Sequence, residues 1–151
     1  MSGALSRQAS PAGSATLHGF TVGFAIGSPT LVVGPELLLQ NGDSLRLRAF
    51  AIAVRLRQGG GWVHPHLVVG LGAYAWQRLT PPDPDDPFHP LAAWHEVNYV
   101  SGSLGAGAIV GPWRGRVMGL IEARWHRNLE QNAIEGSRSL IGIEAGLRLS
   151  W

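Results

Sequence analysis

The chain has 151 residues, enough for one domain with a closed core or a small barrel. Hydrophobic residues make up 45% and charged residues 15%, with 21 glycines and 10 prolines, which excludes a disordered or collagen-like chain. The net charge of +2 rests on singly scattered arginines, a poor match to nucleic acid, and the lack of cysteine excludes disulfides, thiol nucleophiles and cysteine metal sites.

No apolar run reaches the ~18 residues of a membrane helix. The opening Met1–Gln8 has no apolar centre of the kind a signal peptide needs. An exported protein is therefore expected to carry such a segment upstream of this numbering, and a cytosolic protein is the alternative.

Alternation with period two recurs from end to end, broken by Gly, Pro, Asn and Asp, and predicts about eight strands. A first short strand is expected near residues 3–8. The second, about 16–27, puts Phe20, Val22, Phe24 and Ile26 on one face and Gly19, Thr21, Gly23 and Ala25 on the other. The third follows Ser28-Pro29 and alternates Val33, Leu37 and Leu39 with Gly34, Glu36 and Gln40. Pro35 within it predicts a bulge or an irregular ladder. Asn41-Gly42-Asp43 signals a hairpin turn.

In the fourth strand, about 44–58, Phe50, Ile52, Val54 and Leu56 oppose Ala49, Ala51, Ala53, Arg55 and Arg57. Its start has the other phase, with Leu45 and Leu47 against Arg46 and Arg48, so a bulge is expected near Arg48-Ala49. The fifth, about 63–78, sets Val63, Leu67, Val69 and Leu71 against His64, His66, Gly70, Gly72, Tyr74 and Trp76. A long Pro- and Asp-rich loop follows to about Glu96. The sixth strand, about 97–110, is rich in Gly and Ser. The seventh places Glu122, Arg124, His126 and Asn128 opposite Ile121, Ala123 and Trp125, and a closing strand runs to Trp151.

The connections at Ser28-Pro29, Gly59–Gly61 and Gly111-Pro112 are tight, whereas those at Pro11, Pro81 and Gln131 are longer, with Asn41 the short exception. Alternating connection lengths predict an all-β, eight-stranded antiparallel up-and-down transmembrane β-barrel, one domain over residues 1–151, with short periplasmic turns and longer external loops. Polarity favours the membrane form. The non-apolar face is Gly, Ala and Ser with a few charges, which suits a narrow lumen better than a solvated surface. Trp62, Trp113 and Trp151 are expected at the periplasmic interface, Trp94, Tyr99 and Trp125 near the external one, with Trp76 inward by parity.

A lumen charge network is expected from Glu36, Glu122, Arg124, His126, Glu144 and Arg148, with His64 beside it. An eight-stranded interior is wide enough only for side chains, and buried charges need partners, so the network reads as filling rather than catalysis. Asp83, Asp85, Asp86, His89, His95 and Glu96 lack the spacing of a calcium loop and read as a solvated external loop; no metal or cofactor is expected.

The last residues fit a known pattern: polar Glu144, Gly146 two later, Leu149 three further on, and a final aromatic, Trp151, where Phe is commoner. This resembles the C-terminal signal of bacterial outer-membrane barrels. Pro65–Tyr74, Gly105–Ala108 and Glu122–His126 also resemble small porin-family barrels of the OmpA and OmpX kind, over about residues 15–151. The resemblance implies an outer-membrane location, a lipid bilayer and lipopolysaccharide as surroundings, and recognition by the barrel-assembly machinery during insertion. The role it implies is structural, adhesive or ligand-recognising, through external loops of unknown ligand, without nucleic acid.

The stretch from Glu122 to Asn128 is also similar to lipid A deacylase barrels, which carry His-x-Ser near the external end of a comparable strand. His126 matches the base, but Asn128 stands where the Ser nucleophile is expected, and an amide is no nucleophile. Deacylation is not expected. A different alternative is a soluble barrel binding a hydrophobic small molecule, with Phe20, Phe24, Phe50, Ile52 and Leu67 lining an internal pocket.

Overall fold

A computed structural model of the chain describes residues 2–10, 13–28, 30–80, 82, 92–112, 117–129 and 139–149. Eight antiparallel strands follow in order: β1 (Ser2–Ser10), β2 (Gly13–Gly23, resumed at Ile26–Gly27), β3 (Leu31–Asn41), β4 (Leu45–Arg57), β5 (Val63–Thr80), β6 (Ala93–Val110), β7 (Val117–Asn128) and β8 (Ser139–Leu149). Each strand pairs with the next, and β8 pairs with β1 from Ile141↔Arg7 to Gly146↔Ser2. The sheet is therefore closed and leaves no free edge, as expected of an up-and-down barrel.

The registers also fix the barrel's slant. A line drawn across the strands leaves β2 at Thr16 and passes Arg7, Ile141, Trp125, Leu104, Val69, Val54 and Val33. It returns to β2 at Ile26, ten residues further along. With eight strands, that stagger tilts each strand by roughly 40° from the barrel axis. One end, the loop end, carries the connections after β1, β3, β5 and β7. The other, the turn end, carries those after β2, β4 and β6.

Alternation decides what faces where. In β3 every second residue from Val32 to Gln40 is buried and those between are exposed or half-buried, and β4 alternates the same way from Leu45. The exposed set is the apolar one: Phe20, Ile52, Val69, Leu104, Ile121 and Ile143 all point outward. Phe50 and Leu67 are each 57% exposed, and Phe24 and Ile52 lie on the same outer face, so no internal pocket of aromatic side chains exists where the soluble-barrel alternative needed one.

The bulge expected at Arg48-Ala49 is absent. Pairing runs unbroken from Leu45 to Arg57 against β5 and from Arg46 to Leu56 against β3. Leu45 and Leu47 consequently point into the lumen, while Arg46 and Arg48 point out. The ladder is thinner at Pro35. Phe24 N–H donates to Pro35 O at 3.0 Å, but Pro35 has no N–H to return the bond. Strand β2 is interrupted at residues 24–25 in consequence, yet Gly23↔Glu36 and Ile26↔Val33 keep one register, so no residue is inserted.

Strands β5 and β6 are longer than expected. The second begins at Ala93, which places His95 and Glu96 on a strand paired with Arg78 and Gln77 rather than in a loop. Asp83, Asp85, Asp86 and His89 lie outside the described residues, as do Trp113 and Trp151.

Candidate functional site

Among the described residues, the buried charged side chains face the lumen. Strand alternation delivers Glu36 from β3, Arg55 from β4, His66 from β5, and Glu122 and Arg124 from β7 to one level. There two carboxylates and two guanidiniums form a closed ring. Arg55 Nη2 lies 2.5 Å from Glu36 Oε1 and its Nε donates to Glu122 Oε2 at 3.0 Å. Arg124 Nη1 donates to Glu36 Oε2 at 2.6 Å, and its Nε and Nη2 both donate to Glu122 Oε1, the former at 2.8 Å.

His66 Nε2 donates to Glu122 Oε2 at 2.7 Å, giving that carboxylate partners from three strands. The formal charges within the ring cancel. Removal from water is costly for each ion, and only such multiple pairing offsets it. Because β3 and β4 lie three or more strands from β7 around the wall, the ring is a strut across the lumen.

Glu144 is directly opposite Glu122 on the neighbouring strand, and takes a hydrogen bond from Thr21 Oγ1 at 3.0 Å across the β1 strand. Small residues make the space. A Cβ on Gly107 would collide with the Ile121 carbonyl and with the His66 ring, so glycine there lets His66 reach Glu122.

Nearer the loop end, Tyr74 Oη and His126 Nδ1 share a hydrogen bond of 2.9 Å, and Ser101 Oγ donates to Asn128 Oδ1. Around them Leu17, Leu38, Leu45, Leu47, Trp76, Tyr99 and Leu140 form an apolar cluster that closes the lumen above the ring. Toward the turn end Val32, Ile109 and Met118 are buried, with His64 Nε2 2.9 Å from Gly111 O.

Of the residues singled out from the sequence, Glu36, Glu122 and Arg124 are brought into one network. His126 and Glu144 are buried beside it with other partners, and half-buried Arg148 makes no ion pair with a described residue. Arg55 and His66 were not foreseen as members. Their parity, shared with Ala53 and Gly70, placed them on the lumen face, but which inward charges meet depends on the barrel's stagger. Trp62 is exposed in a connection at the turn end and Trp125 points outward, while Trp76 is buried in the lumen.

His126 and Asn128 are 2% and 8% exposed and face inward, whereas Trp125 and Arg127 occupy the outer face of that stretch. A lipid lying against the barrel meets the outer pair. Among the described residues no group of three or more His, Asp or Glu side chains is arranged to hold a metal ion.

No protein-family model matches the chain, and no curated protein sequence is significantly similar to it. Solved structures of small barrels share its fold. Neisserial surface protein A (NspA) superposes with a TM-score of 0.73 at 12% identity, over 99% of this chain and 94% of that one. The N-terminal β-barrel domain of Pseudomonas aeruginosa OprF gives 0.59 at 11%, over 97% and 94%. The outer membrane enzyme PagL gives 0.54 at 11%, over the whole of both chains. At such identities the likeness concerns the fold: the chain is built as a small, eight-stranded outer-membrane-type β-barrel.

Proposed function

We propose that the protein is a non-enzymatic, non-conducting barrel of the bacterial outer membrane. Its charge-filled lumen holds a rigid wall, and the loop end carries a structural, adhesive or ligand-recognising role. One observation carries the reading: apolar side chains cover the middle of the outer wall while a network of ions is buried inside at that level. In water that inversion is unfavourable on both faces. In a bilayer it is the stable arrangement, since lipid satisfies the outer face and the closed ladder satisfies the backbone.

The loop end then faces the exterior and the turn end the periplasm. Glu144, Gly146, Leu149 and Trp151 are proposed as the signal read by the barrel-assembly machinery. The surroundings are the lipid bilayer and lipopolysaccharide. The enzymatic reading is disfavoured because the only His-x-Asn pair comparable to a lipid-cleaving site turns away from lipid. The blocked lumen supports the absence of conduction: the salt-bridge ring crosses it and the apolar cluster closes it toward the loop end.

The test is folding into detergent micelles. A membrane barrel should stay insoluble without detergent and, once folded, run at a different gel mobility before and after boiling. A monodisperse, water-soluble monomer would overturn the proposal.

A further inference from the structure

The unbroken register of β4 puts two arginines on the outer wall, where the sequence pattern alone had turned them inward. Arg48 is exposed between Leu39 and Ala75 of the neighbouring strands, and Arg46 lies one outward position nearer the loop end, between Asn41 and Gln77. Below Arg48 the outward residues of β4 are Phe50, Ile52, Val54 and Leu56, all apolar and exposed. A hydrocarbon band of ~25 Å crossed at a tilt of roughly 40° takes about ten residues of strand. Counted from the turn end of β4 at Arg57, that band ends beside Arg48. Arg48 therefore stands at headgroup depth on the external side, and Arg46 just beyond it.

The surroundings suit an anion. The Arg46 guanidinium lies 4.1 Å from the centroid of the Trp94 ring, which holds a cation in place without neutralising it. Arg48 makes no hydrogen bond or ion pair with any described residue. Ala75 beside it is small, and beyond Ala75 the partner is Asn98, a neutral donor. Glu96 is the acid in this row, and it accepts a hydrogen bond from Gln77 Nε2 at 2.6 Å instead of pairing with either arginine. Two guanidiniums without an acidic partner among the described residues, one turn of the pleat apart and edged by amides, match phosphate oxygens in charge and geometry.

We propose that Arg46 and Arg48, with Trp94, Gln77 and Asn98 around them, form a binding site on the outer wall for the phosphate of a phosphorylated glycolipid in the external leaflet. The site rests on the membrane reading above and adds to it a fixed lipid partner at one side of the barrel.

The whole chain, folded in detergent, is reconstituted into phosphatidylcholine nanodiscs containing a minor fraction of bisphosphorylated lipid A or of the same lipid with both phosphates removed. Lipid retained on the protein after delipidation is counted by native mass spectrometry. Wild type should retain the phosphorylated form preferentially. At about fivefold per arginine near a charged membrane surface, the double variant Arg46→Gln/Arg48→Gln should lose that preference by roughly tenfold or more. Arg127→Gln, which removes an outward arginine from β7, should keep it. Equal retention of both lipids by wild type, survival of the preference in the double variant, or an equal loss in Arg127→Gln overturns the site. Failure of the wild-type chain to insert at all would instead count against the membrane reading, and the gel mobility test reports that separately.

Discussion

Glu122 is the residue on which the lumen's balance most depends. It accepts from Arg55, Arg124 and His66, so Glu122→Ala leaves two guanidiniums sharing Glu36 and one imidazole N–H without its acceptor. Breaking a buried pair from one side costs about 3–5 kcal/mol. Urea unfolding in micelles should register that loss, and a cost under about 1 kcal/mol would show that water or neighbours replace the carboxylate. Glu144 should behave differently. It faces Glu122 across the strand pair, and its partner Thr21 donates to an oxygen that an amide also offers. Glu144→Gln is therefore expected to change stability by no more than ~1 kcal/mol, since relief of like-charge repulsion offsets a weaker hydrogen bond. The carboxylates were recognisable as lumen residues from parity with glycine and alanine. Their different partners were not, because partners come from strands far apart in sequence.

Among the elements, β3 shows how a locally unfavourable residue is accommodated. Pro35 withholds one bond from β2 but keeps the register, and its outward ring borders a shallow notch of about 260 Å³ beside Phe24 and Phe50. Pro35→Ala supplies the missing N–H opposite Phe24 O. The new ladder bond contributes roughly 0.5–1.5 kcal/mol, and the greater freedom of the unfolded chain offsets part of it. Hydrogen exchange should find residue 35 protected in the variant, with little change in stability; rapid exchange there would mean that the strands part at this point for another reason. Strand β4 teaches the opposite lesson. Leu45 and Leu47 look like a change of phase, because an apolar residue is expected outside a membrane barrel. Near the loop end that rule lapses: the strand has passed the hydrocarbon band, and the lumen there is filled by apolar side chains. Keeping the ladder intact on both sides outweighs the preference of two side chains.

For the whole molecule, the inverted distribution of polarity is the property to test. Ile52 lies on the outer wall in the middle of β4's apolar stretch, so Ile52→Arg should destabilise the barrel in lipid by about 2–4 kcal/mol. Measured by unfolding from lipid vesicles, a neutral result would mean that this face does not meet hydrocarbon. Conductance follows from the same architecture. With the ring across the lumen and the apolar cluster above it, planar bilayers carrying the protein should show no steady open channel. Persistent openings would show that the ring parts readily.

The sequence by itself determined the strand count, the antiparallel order and which face of nearly every strand is apolar, because a period of two is local and survives in any register. It also marked the small and charged residues as the inner set. Tertiary structure alone decided which of those charges touch. A stagger of ten residues around eight strands brings Glu36 and Arg55 to the level of Glu122 and Arg124, and a different stagger would pair other groups from the same faces. It alone also turned Arg46 and Arg48 outward, since the continuity of a ladder is a property of three strands at once and not of the segment that carries the two arginines.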